Sequence, residues 1–142
     1  MKSPKTQGII SIVLGVLIAV TPTWILPVCD QLLKLANGKE VPMRCFWTAR
    51  AEMLIGGLLA FTGILLITAK SSETQQRLSH QIAFLGLAAI ATPLILIPTC
   101  ASPDMPCNVG TKPTMIILGS LVIFMGLYGS FFSAPKLRPT GT

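Results

Sequence analysis

Four cysteines are the residues of this sequence with the widest choice of chemistry: Cys29, Cys45, Cys100 and Cys107. An even number of cysteines in a short chain is compatible with disulfide bonds, with a metal site or with reactive thiols. In each half of the chain, one cysteine stands two positions after a proline and the other two positions after a methionine. The helices that position these cysteines therefore have to be identified before their chemistry can be assigned.

Two disulfide bonds, one in each half of the chain, are the interpretation that this arrangement favours. Four cysteines allow three pairings, and the sequence alone does not select one. If the halves are structural repeats, the simplest pairing joins Cys29 to Cys45 and Cys100 to Cys107. The longer bridge would stabilise the fold by on the order of 3 kcal/mol through its effect on the unfolded chain.

Two alternatives stay open for the same region. Met43 with Cys45 and Met105 with Cys107 form two matching pairs of soft sulfur ligands, which suit Cu(I). An oxidising compartment works against this site, because thiolates must be reduced to bind a metal. Thiol–disulfide exchange is the second alternative, although it favours a Cys-x-x-Cys motif with an activated thiolate.

Four apolar runs predict that the chain crosses a membrane four times. Of the 142 residues 51% are hydrophobic and only 11% are charged, and the mean hydropathy is +0.71. Each run has about 17 to 20 residues without Asp, Glu, Lys or Arg, which is enough to cross the hydrocarbon as a helix. The runs are Gly8–Pro27, Met53–Ala69, Ile82–Pro98 and Thr114–Phe132.

The net charge of +6 does not indicate a nucleic-acid partner. The eleven Lys and Arg residues lie between the apolar runs and form no basic stripe that would follow a phosphate backbone. Positively charged flanks of membrane helices explain them better. The expected partners are the lipid bilayer and other membrane proteins.

A repeated pattern divides the chain into two hairpins. The segment Thr21–Cys29 reads TPTWILPVC, and Thr92–Cys100, 71 positions later, reads TPLILIPTC. The predicted fold is therefore an all-α membrane protein with four transmembrane helices in two tandem hairpin repeats, with the cysteines in extracytoplasmic loops. The repeats cover about 8–70 and 79–133 of a single domain, 1–142.

Small residues in these runs predict where helix backbones approach each other. A four-residue spacing that favours such contacts is found at Ser11, Gly15 and Ala19 in the first run and at Gly56 and Ala60 in the second. In the repeat, Gly57 and Gly63 align with Gly119 and Gly126.

Two prolines interrupt the first and third helices. Pro22 and Pro93 each remove a helical hydrogen bond, and the threonine before each proline is expected to supply a compensating donor. Both helices are expected to bend near the end that carries the cysteines.

The cysteines also decide the predicted orientation. Six Lys and Arg residues lie on the side of the two termini and five on the other side, so their count barely distinguishes the two possible orientations. All four cysteines are in the loops of that other side, and an even set of loop cysteines is typical of an oxidising compartment. The chain is therefore expected to be a multi-pass membrane protein with both termini cytoplasmic.

Three residues near the expected start of the second helix, Trp47, Arg50 and Glu52, are candidates for an interface. His80, the only histidine, is expected at the end of the bundle opposite the cysteines. The sequence contains no Ser-His-Asp set, catalytic carboxylate pair, phosphate loop or cofactor fingerprint. We therefore expect neither an enzyme nor a cofactor.

The segment Met43–Glu52, MRCFWTARAE, followed by Cys100 to Cys107, resembles a family of small bacterial four-helix membrane proteins labelled domain of unknown function 4418. The resemblance covers nearly the whole chain, because the cysteine loops and the four spans occur in the same order. Members of the family often have His directly after the cysteine of this motif, where this chain has Phe46. That departure weakens the metal alternative, and the resemblance implies a fold and a membrane location but no activity.

These patterns favour a non-catalytic accessory or interaction subunit of a membrane complex, such as a transporter or an export complex. Its extracytoplasmic cap would be held by disulfide bonds. The alternative function is soft-metal binding or transport, or thiol–disulfide exchange. A solute path usually needs charged or strongly polar groups inside the membrane, and the four apolar runs offer only Ser and Thr.

Overall fold

The fold is a bundle of four long helices with a small β-hairpin at one end. The computed structural model describes residues 4–26, 28, 32–42, 44–98, 103–105 and 107–132. The helices are α1 Pro4–Val20, α2 Arg44–Thr68, α3 Ser72–Ala91 and α4 Lys112–Phe132, and the strands are β1 Leu32–Lys34 and β2 Glu40–Pro42. Three π-helical segments adjoin the helices: Thr21–Ile25 after α1, Thr92–Leu96 after α3 and Cys107–Thr111 before α4.

The prediction of four membrane-spanning helices is confirmed. The described residues contain four helical stretches that are long and apolar enough to cross a membrane, with 22 to 26 residues each. They are Pro4–Ile25, Arg44–Thr68, Ser72–Leu96 and Cys107–Phe132. Their outward side chains include exposed apolar residues such as Leu54, Phe84 and Phe124, which suit contact with lipid.

The second helix begins earlier than its apolar run predicts. The run begins at Met53, whereas α2 begins at Arg44, so Arg50 and Glu52 lie inside the helix and not at its start. The apolar run is shorter than the helix because hydropathy excludes the polar residues of its first turns. These residues can still be helical, with their side chains exposed or buried against neighbouring residues. The position expected for Arg50 and Glu52 is corrected accordingly.

The all-α prediction also omits a short antiparallel hairpin. β1 pairs with β2 in a two-stranded sheet, and Lys34 lies opposite Glu40. Gly38 makes the turn with a φ of 72°, a conformation that glycine adopts at little steric cost. Strands of three residues leave too short an alternation of polar and apolar side chains to be recognised in the sequence.

The helices pack as two pairs. The most extensive contacts join α1 to α2 and α3 to α4, and the pairs meet where α2 contacts α3 and α1 contacts α4. A buried apolar core fills the space between the four helices. Its largest fully buried side chains are Ile18, Leu59, Leu66, Ile82, Met115 and Val122.

Glycines bring the backbones of each pair into direct contact. A Cβ atom added to Gly56 would lie 2.5 Å from the carbonyl oxygen of Gly15, and one added to Gly15 would lie 2.7 Å from the carbonyl oxygen of Gly56. Between α3 and α4, a Cβ atom on Gly86 or Gly119 would lie 2.9 Å from the carbonyl oxygen of the other. The close approach predicted for Gly15 and Gly56 is confirmed.

Gly57 takes no part in this contact. Its position is exposed, and a Cβ atom added there would meet nothing within 4 Å. The sequence alignment matched Gly57 to Gly119, but Gly56 is the glycine that contacts the neighbouring helix.

The threonine before each proline donates to the carbonyl one residue before the one that the proline frees, so it does not compensate for the proline as predicted. The Thr21 hydroxyl donates to the carbonyl of Leu17 at 2.6 Å, and the Thr92 hydroxyl donates to the carbonyl of Ala88 at 2.8 Å. The interruption after each threonine takes the form of a π-helical segment, in which the backbone bonds span five residues instead of four. These segments lie at the same end of the bundle as the hairpin.

Replacement of Gly56 by alanine tests the backbone contact. The added methyl group must displace the backbone of α1, and such overpacking typically destabilises a protein by about 1 to 3 kcal/mol. We expect Gly56→Ala to lower the midpoint of thermal unfolding in detergent. Gly57→Ala is the matched control, because its methyl group enters open space and alanine favours a helix. Equal midpoints for the two variants would contradict the packing described here.

Candidate functional site

Cys45 and Cys107 meet at one end of the bundle, which we call the cysteine end. Cys45 is the second residue of α2, and Cys107 is the first residue of the π-helical segment that leads into α4. Their Sγ atoms lie 3.4 Å apart, and both side chains are fully buried. The structure thus brings together two cysteines from different halves of the chain.

Cys45 and Cys107 are not joined by a disulfide bond, because their sulfur atoms are farther apart than the bond length of about 2.05 Å. The predicted pairing of Cys45 with Cys29 and of Cys107 with Cys100 stays a prediction. Cys29 and Cys100 lie outside the described residues, as does Met43, a ligand of the alternative metal site. Val28, which precedes Cys29 in sequence, packs against the buried cysteines.

Met105 is the third sulfur-containing residue of this region. Its partly buried side chain packs against the cluster formed by Val28, Cys45, Ala49 and Cys107. The carbonyl oxygen of Met105 accepts the backbone N–H groups of residues 108 and 109, at 2.9 and 3.2 Å. These bonds hold Met105 at the start of the helical segment. We call Cys45, Met105 and Cys107 the sulfur cluster.

Two hydrogen bonds join the helix pairs beside the sulfur cluster. The Thr48 hydroxyl donates to the carbonyl of Ile97 at 3.0 Å, and the Thr111 hydroxyl donates to the carbonyl of Leu26 at 3.2 Å. Each bond runs from the start of one pair's second helix to the residue after the other pair's π-helical segment. They therefore fix the distance between the two pairs at the level of Cys45 and Cys107.

A partly open cavity of about 230 Å³ lies beside the sulfur cluster. Val28 and Ala49 line this cavity and also pack against the cysteines. The other lining residues are Pro22, Thr23, Phe46, Arg50 and Met53. The cluster is therefore buried but separated from the exterior by a single layer of side chains.

The three interface candidates differ in exposure. Trp47 and Arg50 are exposed, and the Arg50 guanidinium lies 5.1 Å from the centre of the Phe46 ring. Glu52 is fully buried, and neither of its carboxylate oxygens has a hydrogen-bond partner in the described part of the chain. Trp47 and Arg50 are thus available to another protein on this surface, whereas Glu52 is not.

Glu52 lies deeper in the bundle, below the sulfur cluster. It follows Cys45 by seven residues, so it shares that face of α2 about two turns, or about 10 Å, further along the axis. Most buried polar groups in proteins have a hydrogen-bond partner. The Glu52 carboxyl is therefore a buried acidic group without a hydrogen-bond partner among the described residues, on a helix whose other buried side chains are uncharged.

A separate polar contact holds the opposite end of the bundle. The Gln7 side-chain amide donates to the Met125 carbonyl at 3.0 Å and to the Ser79 hydroxyl at 3.3 Å. His80, which was expected at this end, lies there, with its Nε2 atom 3.1 Å from the hydroxyl oxygen of Ser130. The helix pairs are therefore joined by polar contacts near both ends.

These features define a multi-pass membrane protein with a sulfur cluster at one end of its helical bundle. The chain belongs to the family described as domain of unknown function (DUF4418), whose match covers residues 11–132. The resemblance inferred from the Met43–Glu52 motif is therefore confirmed. No curated protein and no solved structure matches the chain.

The sequence analysis missed the approach of Cys45 to Cys107 and the hydrogen bonds of Thr48 and Thr111. The available signal was that both Met-x-Cys motifs immediately precede a helix, which placed the two cysteines at the same end of the bundle. Pairing within each half was favoured because the two halves share a sequence pattern, and that pairing stays a prediction.

Replacement of Glu52 by methionine tests the unsatisfied carboxyl. Removal of a buried polar group without a partner is expected to stabilise the fold by about 1 to 3 kcal/mol. We therefore expect Glu52→Met to raise the thermal midpoint in detergent, while Glu73→Met at an exposed position changes it little. A lower midpoint for Glu52→Met would mean that the carboxyl has a stabilising partner within the bundle.

Proposed function

We propose that the protein is a non-catalytic interaction subunit of a membrane complex, such as a transporter or an export complex. Its contact surface is the β-hairpin, residues 32–42, at the cysteine end. The partner is the extracytoplasmic part of another integral membrane protein. The observation that carries this proposal is the exposure of large aliphatic side chains on a hairpin outside the four spans.

The hairpin has the composition of a protein interface. Leu32, Leu35 and Val41 are 52%, 48% and 42% exposed, and Lys34 and Glu40 are exposed between them. Exposed apolar side chains among polar ones are typical of interaction sites. The charged side chains favour a protein partner with complementary groups over burial in hydrocarbon.

The backbone of the hairpin supplies a second kind of contact. A sheet of two strands has a free edge on each outer side, and such an edge can pair with an extended segment of another protein. A two-stranded hairpin alone is only marginally stable in water. An added strand would therefore stabilise the hairpin and contribute to binding.

The bundle provides a rigid base for this surface. The hairpin connects the π-helical segment after α1 to the start of α2. The helical ends on either side of it are bonded to the second helix pair, by the bonds of Thr111 to Leu26 and of Thr48 to Ile97. A rigid base reduces the entropy that is lost when a partner binds.

We also propose that the helix pairs are tandem repeats related by a twofold axis along the bundle. The Gly15–Gly56 contact corresponds to the Gly86–Gly119 contact, at offsets of 71 and 63 residues. The cysteines Cys45 and Cys107 are offset by 62. The π-helical segment between Cys107 and Lys112 accounts for the difference, because it accommodates one extra residue.

The proposal includes an orientation in which the cysteine end is extracytoplasmic and both termini are cytoplasmic. Asn37→Cys at the tip of the hairpin and Ser71→Cys in the turn before α3 form a matched pair of exposed test positions. We expect a membrane-impermeant maleimide to modify residue 37 in intact cells and residue 71 only after permeabilisation. Peptide mass spectrometry distinguishes these sites from the native cysteines. The reverse pattern would invert the orientation.

Photo-crosslinking tests the interaction surface. With a photoreactive amino acid at position 35, we expect crosslinks to one integral membrane protein, because the Leu35 side chain would lie in the interface. The control is the same amino acid at position 84, where the exposed Phe84 lies in the span and should contact lipid.

A pair of substitutions that introduce negative charge completes this test. Leu35→Asp with Val41→Asp should lower recovery of the same partner at least tenfold without changing the thermal midpoint. The partner must also carry its crosslink on an extracytoplasmic segment. Identical adducts at positions 35 and 84, or recovery that is unchanged by the aspartates, would contradict the proposed surface.

A further inference from the structure

We propose that the partner adds an extended strand to the outer edge of β1, and that an acidic side chain of this strand lies beside Lys34. This inference rests on the proposed function, because it specifies how the hairpin holds its partner. The outer edge of β2 is excluded as the binding edge.

The register of the hairpin decides which backbone groups are available to a partner. Next to the turn, the N–H of Leu35 donates to the carbonyl of Lys39 at 3.0 Å. In an antiparallel ladder, pairs of residues that bond to each other alternate with pairs whose N–H and C=O groups point outward. Leu35 and Lys39 form a bonded pair, so the next pair, Lys34 and Glu40, directs its backbone groups to the two outer edges.

The two outer edges differ in the hydrogen bonds that they offer. Leu32 lies opposite Pro42, two positions farther from the turn than Lys34 and Glu40, so this pair also points outward. The edge of β1 therefore presents the N–H and C=O groups of both Leu32 and Lys34. On the edge of β2, Pro42 has no N–H to donate, which interrupts the ladder that an added strand would form.

The edge of β1 is accessible to another chain. In the described part of the molecule, no third strand pairs with the sheet. The side chains of Leu32 and Lys34 are both exposed. A lysine on an edge strand disfavours indiscriminate pairing with other strands. An acidic side chain in the added strand would remove this obstacle, so Lys34 makes the edge selective.

Charge complementarity defines the chemistry of the added strand. Side chains directly opposite each other on neighbouring strands interact, and opposite charges stabilise such pairs. Residues 32–42 contain two lysines and one glutamate, and this Glu40 lies on the side of Lys34 away from the added strand. An Asp or Glu of the partner would therefore complement Lys34 from the open side. The partner residue two positions along lies beside Leu32 and is expected to be apolar.

Two proline substitutions test which edge holds the partner. Lys34→Pro removes an outward N–H from β1, and Glu40→Pro removes one from β2. The two positions face each other and both leave the bonds within the hairpin intact, so the variants are matched. With the photoreactive amino acid at position 35, we expect Lys34→Pro to lower recovery of the crosslinked partner about tenfold, because a hydrogen bond to the partner is lost and the ring obstructs the strand. Glu40→Pro should lower it less than about twofold.

Two glutamine substitutions test the acidic side chain of the partner. Lys34→Gln keeps the backbone edge and removes the charge, and Lys39→Gln removes the same charge at an exposed position beside the turn. We expect Lys34→Gln to lower recovery about threefold, the effect of losing one cross-strand charge pair. Lys39→Gln should leave recovery unchanged.

Zero-length crosslinking gives a test on the wild-type hairpin. A carbodiimide joins an amine to a carboxylate that touches it, so treatment of the complex in detergent should couple Lys34 to an Asp or Glu of the partner. Peptide mass spectrometry identifies the coupled residues and separates this product from a link between Lys34 and Glu40. Coupling of the partner to Lys39 and not to Lys34 would overturn the proposed register.

The outcomes separate this inference from the proposed function. Recovery that both prolines leave unchanged, while Leu35→Asp with Val41→Asp still lowers it, would overturn pairing at the edge and leave the contact surface in place. A loss for Glu40→Pro that equals or exceeds the loss for Lys34→Pro would overturn the choice of β1. Unchanged recovery for Lys34→Gln would overturn the acidic side chain. Absence of any crosslinked partner in the wild type would overturn both proposals.

Discussion

Contact between helix backbones at glycine is the constraint on which this bundle depends. Lipid tails are as apolar as the side chains of the helices, so helices in a membrane associate through close packing and hydrogen bonds. At Gly15 and Gly56, the carbonyl of each helix lies where the other helix's Cβ atom would be. The same arrangement at Gly86 and Gly119 gives both helix pairs the short separation that aligns their ends.

The ends of the helices are then joined by polar groups that lipid could not satisfy. Leu26 and Ile97 follow the π-helical segments, so their carbonyls lie beyond the regular helix that would provide backbone N–H donors. Threonine hydroxyls from the other helix pair donate to these carbonyls instead. Because an unsatisfied backbone group is costly in an apolar environment, these bonds make the two pairs one unit and hold Cys45 and Cys107 together.

One end of the bundle carries the proposed contact surface. The hairpin, with Leu35 and Val41 exposed, stands in the chain between the π-helical segment after α1 and the start of α2. The sulfur cluster is buried between the helix pairs at the same end. Glu52 lies deeper on the same face of α2, and its carboxyl has no hydrogen-bond partner among the described residues.

Local sequence determined the four spans, the interruptions at Pro22 and Pro93 and the small residues, among them Gly15 and Gly56, at which helix backbones approach. These features depend on hydropathy, on the missing N–H of proline and on small residues at helical spacing, all of which are visible along the chain. Family membership followed from the motif around Cys45.

Tertiary structure decided which of these residues meet. Gly56 and Gly57 are adjacent in the sequence, and the rotation of α2 against α1 decides which of them is buried and which is exposed. The approach of Cys45 to Cys107, the burial of Glu52 and the bonds of Thr48 and Thr111 arise where the two helix pairs pack together. A linear pattern records how apolar each segment is, whereas the side chains that face each other are fixed only when all four helices are packed.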